Sequence, residues 1–369
     1  RSTSGTKMIQ NAEGANTISS ALLLSAVLVE DVASGTTLTQ SGAISGGSGP
    51  TKTGDGTLRF AGSTDNAYSG ATTVSGGSLI LAKDAGKDAI PDDATINSGA
   101  TVQLEANNQI VNTSFVTVDT GGTLDLNGKN DAMALQGAGS ITLGGGSLTI
   151  TNTGTGDVFS GIISEGGTVS KKGSGTQVLS GVNEYTGATT VGGGTLRAAN
   201  NSALGTVAGG VTISDGATLS LSNNITVGAE VLSLDGTAPA LENTSGDNVW
   251  QGAVTLAGDA RANSKAGTEL TLEGVVDLDD NTLYVGDSGD TVISGAIANG
   301  SKTTDNGALY KDGTGALTLS GANGDGLTGT VNLVTGALLV GHDSALASGG
   351  TVVLSGGTTL AAADGTARA

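Results

Sequence analysis

The chain has 369 residues, of which 64 are glycine and none is cysteine. Aromatic residues make up 2%, too few to fill the core of a compact globule, although the hydrophobic fraction is 37%. The net charge of −19 repels phosphate backbones and anionic lipids. The composition excludes disulfide-stapled and thiolate-metal folds and argues against nucleic-acid and membrane partners. It favours a thin core of small aliphatic residues that repeats many times, as in a solenoid.

The first predicted element is the apolar run at residues 21–29. The run is too short to span a bilayer, although basic residues precede it as they do in a signal peptide. Residues 34–42 overlay residues 266–274, and the same offset places residues 21–24 on residues 253–256. We therefore expect the run to form a rung inside a repeat array, not a leader or a membrane-inserted segment.

A short unit recurs between residues 94 and 150. Ala94–Leu104 and Val116–Leu126 match position for position, and Ile141–Ile150 is a copy that is one residue shorter. Each copy alternates apolar and polar residues, bends at a small-residue corner such as Gly99, and alternates again. This pattern predicts short strands with one buried face, and about 22 residues complete one rung of a solenoid.

A longer repeat overlies these rungs. Its three copies lie near residues 52–82, 171–204 and 311–346. Each copy opens with Lys-x-Gly-x-Gly, continues through a strand that ends in Ser-Gly, and later reaches Gly-x-Leu. Tyr68 and Tyr185 occupy one position, where the third copy has Leu327, and we expect this position to lie at a wide corner. Ser-Gly and two apolar residues precede each copy.

The order of these motifs, most completely from Lys172 to Leu196, is similar to the passenger-associated repeat of autotransporter proteins. The resemblance implies a right-handed parallel β-helix that is exported to the surface of a Gram-negative bacterium. We therefore expect an all-β fold, a right-handed parallel β-helix of roughly 17 rungs of about 22 residues. We expect it to run as one continuous domain over residues 1–369 and to be a fragment of a longer chain.

No residue pattern indicates catalysis, a cofactor or a metal centre, so we predict no catalytic, cofactor-binding or metal-binding residue. His342, the only histidine, aligns with Asn200 and is predicted to lie in a turn. No Gly-x-Ser-x-Gly elbow accompanies it. Trp250 is predicted to fill the core or a corner, with sugar or partner binding as the alternative.

The densest acidic segment is Asp277–Asn281, with Asp287 and Asp290 nearby. It begins like a calcium loop, but the sixth and twelfth positions hold Thr282 and Ser288 where an EF-hand has Gly and Glu. The sequence leaves two interpretations open, a weak surface calcium site and solvated acidic turns.

Function is therefore expected on the outside of the helix. The leading hypothesis is adhesion, self-association or biofilm formation, with a host receptor, a neighbouring-cell protein or glycan, or a second copy as the partner. The alternative is a structural subunit of an extracellular filament or sheath that polymerises through its end rungs. A polysaccharide-active enzyme and an ice-binding surface are more remote, because basic residues are scattered and Thr-x-Thr recurs irregularly.

Overall fold

The computed structural model describes residues 7–300, 307–323, 327, 329–346 and 350–363, and every helix or strand in these ranges is a β-strand. The chain divides into two compact units, residues 1–187 and residues 188–369. Together the strands wind through about 16 turns, close to the expected 17. Strand pairing within each unit is parallel. The fold is therefore a parallel β-solenoid, as the sequence predicted.

The first unit contains strands β1 to β22. In chain order they are Lys7–Asn11 (β1), Ala15–Ile18 (β2), Leu22–Leu24 (β3), Leu28–Val32 (β4), Thr37–Gln40 (β5), Ile44–Gly46 (β6), Pro50–Thr53 (β7), Thr57–Gly62 (β8), Ala67–Tyr68 (β9), Thr72–Val74 (β10), Gly77–Lys83 (β11), Ala94–Ile96 (β12), Ala100–Leu104 (β13), Phe115–Val118 (β14), Thr123–Asp125 (β15), Asp131–Gly137 (β16), Ser140–Thr142 (β17), Ser147–Ile150 (β18), Thr155–Phe159 (β19), Ile162–Ser164 (β20), Thr168–Lys171 (β21) and Thr176–Leu179 (β22).

The second unit contains strands β23 to β41. They are Thr189–Val191 (β23), Gly194–Ala198 (β24), Val211–Ile213 (β25), Ala217–Ser222 (β26), Thr226–Val227 (β27), Leu232–Ser245 (β28), Asn248–Trp250 (β29), Val254–Ser264 (β30), Glu269–Leu272 (β31), Val276–Asp277 (β32), Thr282–Gly286 (β33), Asp290–Ile293 (β34), Ile297–Ala298 (β35), Ala308–Lys311 (β36), Ala316–Leu319 (β37), Thr330–Leu333 (β38), Ala337–Val340 (β39), Thr351–Leu354 (β40) and Thr359–Ala362 (β41).

The strands of each unit stack into faces along successive rungs. In the first unit, one face is the eight-stranded sheet β2-β5-β8-β11-β13-β15-β17-β20 and another begins β1-β4-β7-β10-β12-β14-β16. In the second unit, β27-β29-β31-β34-β37-β39-β41 forms one face. The long strands β28 and β30 of that unit each bend from one face into the next. Strand β28 therefore pairs with both β25 and β26, and β30 pairs with both β32 and β33.

Inward residues stack into apolar columns that form the core. Leu58, Leu79, Val102, Leu124, Ile141 and Ile163 pair in that order on six successive rungs, and each is at most 1% exposed. Each buried methylene contributes about 0.8 kcal/mol, so stability accumulates rung by rung. Leu22–Leu24 pairs with Ile44–Gly46, so the early apolar run contributes a strand to a rung, as expected.

The predicted short unit is confirmed for two copies and displaced for the third. Ala94 pairs with Val116, and Val102 pairs with Leu124. Ile141, expected at the position of Val116, pairs instead with Leu124. The expectation was wrong because every face carries the same apolar–polar alternation, so similarity between strands cannot tell which face a strand joins.

Candidate functional site

The opening lysine of each long repeat is buried. Lys52, Lys171 and Lys311 are 1%, 0% and 2% exposed. The Lys52 ammonium donates to the carbonyl oxygens of Thr53, Gly54 and Gly76, at 2.8, 2.7 and 3.1 Å. Lys171 and Lys311 donate to the carbonyl oxygens of Gly173 and Gly313 in the same way. The Lys-x-Gly pattern of all three copies marks the site, but the sequence alone did not predict that these lysines are buried.

Desolvation lowers the pKa of each of these lysines. The pKa of Lys171 falls to about 8, because burial disfavours the charged form and the nearby Asp157 compensates only in part. Backbone carbonyl oxygens accept hydrogen bonds from the amines of Lys52, Lys171 and Lys311. These amines therefore tie the turn after a strand to its neighbours.

An asparagine in each long repeat bonds through its side chain to the backbone of a neighbouring rung. The Asn66 side chain accepts the Ile44 N–H at 2.9 Å and donates to the Ala89 carbonyl at 2.8 Å. Equivalent bonds join the Ile163 N–H to Asn183, the Ile297 N–H to Asn323, and Asn323 to the Ala345 carbonyl. The isoleucines belong to the Ser-Gly motifs that precede each repeat. The third copy therefore has the same architecture, although residues 324–326 and 328 lie outside the described residues.

The aromatic position of the long repeat points into the core. Tyr68 and Tyr185 are 2% and 0% exposed, and Leu327 is 1% exposed. The Tyr68 hydroxyl lies 2.6 Å from the Thr72 hydroxyl and 3.4 Å from the Ala89 carbonyl on the next rung. These distinctive side chains of the long repeats are therefore part of the interior of the solenoid.

The single histidine and the single tryptophan of the chain take the structural positions that the sequence predicted. The Ser344 N–H donates to Nδ1 of the exposed His342 at 3.1 Å, just as the Ser202 N–H donates to the Asn200 side chain at 3.0 Å. His342 therefore has the turn role of Asn200. Trp250 is fully buried, and its Nε1 donates to the Glu230 carbonyl at 3.1 Å.

The carboxylates of the acidic segment hold its turn. Asp277 accepts the Asp279 N–H at 3.1 Å, and Asp280 exchanges hydrogen bonds with the Asn299 side chain at 2.8 and 2.9 Å. Asp287 pairs with Lys265 at 2.9 Å. In the part of the chain that the structure describes, no cluster of three or more His, Cys, Asp or Glu residues could hold a metal ion. These contacts therefore give the carboxylates a role in stabilising the turn.

Hydroxyl side chains line the outer faces in columns. On the first unit, one column runs through Thr51, Thr73, Thr95 and Thr117, and a second runs through Thr37, Thr57, Ser78, Thr101, Thr123 and Ser140. The second unit has Thr190, Thr212, Ser233 and Thr255. Each column places a hydroxyl about 4.8 Å from the next. The columns are continuous polar lines, in which Thr212 is exposed and the other residues are half-buried.

One outer face of the second unit carries aromatic rings. Arg261, Tyr284 and Tyr310 pair in that order on successive rungs. The two ring centroids lie 5.2 Å apart with the planes tilted by 48°, and the guanidinium carbon of Arg261 lies 5.2 Å from the Tyr284 centroid. Arg261 also makes a bidentate ion pair with Asp312, at 2.8 and 2.6 Å. This group is the most chemically distinctive feature of the described exterior.

The fold and the internal repeats define a class of protein. A model of the passenger-associated transport repeat matches residues 51–81 and 169–198, the first two of the three copies described above. These two segments are therefore passenger-associated transport repeats, and the chain is similar to the passengers of autotransporters, a class of proteins exposed at the surface of Gram-negative bacteria.

A relative supports the same class. The chain is 32% identical over 213 residues to the adhesin BmaC autotransporter of Brucella suis biovar 1. The aligned region covers 58% of this chain and 5% of that protein, so the chain corresponds to a small part of the relative. None of the described residues forms a helix that is long and apolar enough to cross a membrane.

Proposed function

We propose that this chain acts in adhesion through the exterior of its solenoid and catalyses no reaction. The observation that carries the proposal is the set of hydroxyl columns on the outer faces. A column of threonines presents a regular line of donors and acceptors, which another surface can meet through direct or water-mediated hydrogen bonds. The name of the similar Brucella protein, an adhesin, supports the same role.

The proposed partners are a host receptor, a protein or glycan on a neighbouring cell, and a second copy of the chain. A net charge of −19 opposes the approach of a second copy at low ionic strength. Self-association, and biofilm formation through it, therefore requires short-range polar contacts to outweigh repulsion. We also propose that residues 1–369 form one continuous solenoid, so that its columns extend over many rungs.

The test uses beads coated with the full chain and measures both bead attachment to host cells and bead clustering. Thr73→Val combined with Thr95→Val removes two stacked hydroxyls but keeps the β-branched shape. Thr73→Ser combined with Thr95→Ser keeps the hydroxyls and is the matched control. We expect the valine variant to attach or cluster less than the serine variant. If the two variants attach and cluster equally, the hydroxyl columns are not the surface through which the chain adheres.

A filament or sheath subunit that polymerises through its end rungs is the alternative. It predicts that association depends on the terminal rungs and is unchanged by Thr→Val substitutions on the faces. An enzymatic role predicts the release of reducing ends from polysaccharides incubated with the chain. Such a release, absent from a heat-denatured control, would contradict the non-enzymatic proposal.

A further inference from the structure

The outer face formed by β30, β33, β36 and β38 has an unusual composition for this chain. The whole chain has eight aromatic residues, and five of them are buried: Phe60, Tyr68, Phe159, Tyr185 and Trp250. Tyr284 and Tyr310 instead project outward on adjacent rungs and are half-buried. Asn332 follows on the next rung of the same column. Tyr284 lies between the Arg261 guanidinium and the tilted Tyr310 ring, so the outward edges of the two rings form a half-exposed aromatic surface with polar side chains at both ends.

The arginine at one end of this surface is held in place. Its ion pair with Asp312 extends across the intervening rung, where Gly286 lies. A Cβ atom at position 286 would lie 2.5 Å from both Arg261 Nη1 and Asp312 Oδ1. Glycine at that position therefore leaves room for the bidentate bridge. The bridge fixes the guanidinium beside Tyr284, where it also makes a cation–π contact.

A polar atom next to the bridge has no partner. The side-chain oxygen of Asn263, on the same column as Gly286, accepts no hydrogen bond in the structure. Asn263 itself is 9% exposed. Buried acceptors are normally hydrogen-bonded, so this oxygen at the edge of the aromatic surface is an acceptor that the chain itself leaves without a donor.

We propose that Arg261, Tyr284, Tyr310 and Asp312 form a binding site for a neutral oligosaccharide. The C–H groups of a pyranose ring pack against aromatic carbon atoms, and its hydroxyls bond to polar groups beside them. The separation of 5.2 Å between the ring centroids allows consecutive sugar rings to contact the outward edges of consecutive tyrosines. Tyrosine supplies such contact area with little loss of conformational entropy.

Charge selects a neutral ligand over an acidic one. Because Asp312 neutralises Arg261, the site offers no unpaired cation among these four residues. The chain as a whole carries −19, which repels sialylated and sulfated glycans. The inference rests on the proposed adhesive function and names a ligand class for it.

The test measures binding of the full chain to an immobilised panel of neutral glucose, galactose, mannose and N-acetylglucosamine oligosaccharides, with sialylated oligosaccharides alongside. Tyr284→Leu and Tyr310→Leu should each weaken binding about tenfold or more, as expected for an aromatic anchor. Tyr284→Phe should keep most of the affinity because it keeps the ring. Phe115→Leu, at a half-buried aromatic position of the first unit, should leave binding unchanged.

The variants also separate binding from a structural role. Cross-strand aromatic pairs stabilise a sheet by roughly 0.2–1 kcal/mol, so the leucine variants should remain folded, as judged by amide exchange in β33 and β36.

Three results would overturn the inference. They are a failure to bind any neutral oligosaccharide, a preference for sialylated oligosaccharides, and unchanged binding by the leucine variants. If coated beads still attach to cells while oligosaccharide binding is absent, the inference fails and the adhesive proposal survives. If beads fail to attach while oligosaccharides bind, the adhesive proposal fails alone.

Discussion

Lys171 is fully buried, whereas its neighbour Lys172 is exposed. Two opposing effects act on Lys171. Its burial costs desolvation energy, which lowers its pKa to about 8, but its ammonium donates hydrogen bonds to the backbone carbonyls of Asn152 and Gly173. Because an orphaned buried acceptor is costly, we expect the hydrogen bonds to dominate.

Lys171→Met should therefore destabilise the chain, by about 1–3 kcal/mol, because it removes the hydrogen bonds of the buried amine to backbone carbonyls while keeping the aliphatic stem. Lys172→Met is the matched control and should change the free energy of unfolding by less than about 0.5 kcal/mol. Urea denaturation of both variants measures the difference. Equal midpoints for the two variants would show that the buried amine contributes no net stability.

Three buried carboxyl groups give the fold a pH dependence. Desolvation raises the pKa of Glu30 to about 7, that of Asp131 to about 6 and that of Glu230 to about 8. Each group binds its proton more tightly in the folded state than in the unfolded state. Their contribution to stability is therefore complete below the unfolded pKa and is lost as pH rises through the folded pKa.

We expect the chain to gain stability as pH falls from 8 towards 5, and Glu230→Gln to reduce that gain. The reduction should be on the order of a few kcal/mol, because glutamine resembles the protonated acid and does not titrate. Denaturation at pH 5 and pH 8 measures it. Glu273→Gln, at an exposed position of the same unit, is the control and should keep the pH dependence of the parent chain. A Glu230→Gln variant with the parent's full pH dependence would contradict the assignment.

At the scale of the element, close backbone packing between the corners of successive rungs limits which residue types can occupy those corners. A Cβ atom added to Gly181 would lie 1.8 Å from the Gly161 carbonyl oxygen, and one added to Gly161 would lie 1.8 Å from that of Gly139. The atom in the way is backbone on the adjacent rung, so it cannot rotate aside. These glycines permit successive rungs to approach within hydrogen-bonding distance.

Gly181→Ala should therefore destabilise the first unit by about 1–3 kcal/mol or more, the cost of overpacking a well-packed site. Gly47→Ala is the matched control, because a Cβ at Gly47 meets no atom within 4 Å and its φ is not positive. Chemical denaturation compares the two, and amide exchange should accelerate in β20 and β22 of the first variant alone. Similar stability of the two variants would mean that the corner can relax.

The sequence predicted the local pattern of buried and outward residues better than it predicted which strands and side chains are neighbours on successive rungs. Alternation and corner glycines predicted the rungs, and alignment to Asn200 predicted the turn role of His342. The same alternation misplaced Ile141, because strands of different faces look alike. The burial of Lys52 and the pairing of Tyr284 with Tyr310 depend on residues more than 20 positions away. Period-two alternation places a side chain inside or outside but does not name its neighbour on the next rung.

At the scale of the whole molecule, the charge of −19 and the repeated polar columns have opposite effects on association. Repulsion between exposed charges weakens as salt shortens the Debye length from about 30 Å at 0.01 M to about 8 Å at 0.15 M. Short hydrogen bonds between columns are affected much less. Lateral association should therefore be weak at low ionic strength and increase with salt.

Electron microscopy of the purified chain across a concentration and salt series, with and without calcium, tests this expectation and the continuity of the solenoid. A continuous solenoid of about 16 turns, with rungs spaced by about 4.8 Å, predicts single rods on the order of 80 Å long. With added salt these rods should pair along their sides. Filaments that grow end to end would instead favour the structural polymer, since the terminal rungs of a solenoid offer unpaired strand edges along its axis. A calcium dependence of either form would reopen the acidic turn at Asp277–Asn281 as an ion site, because its carboxylates would then have a role beyond holding the turn.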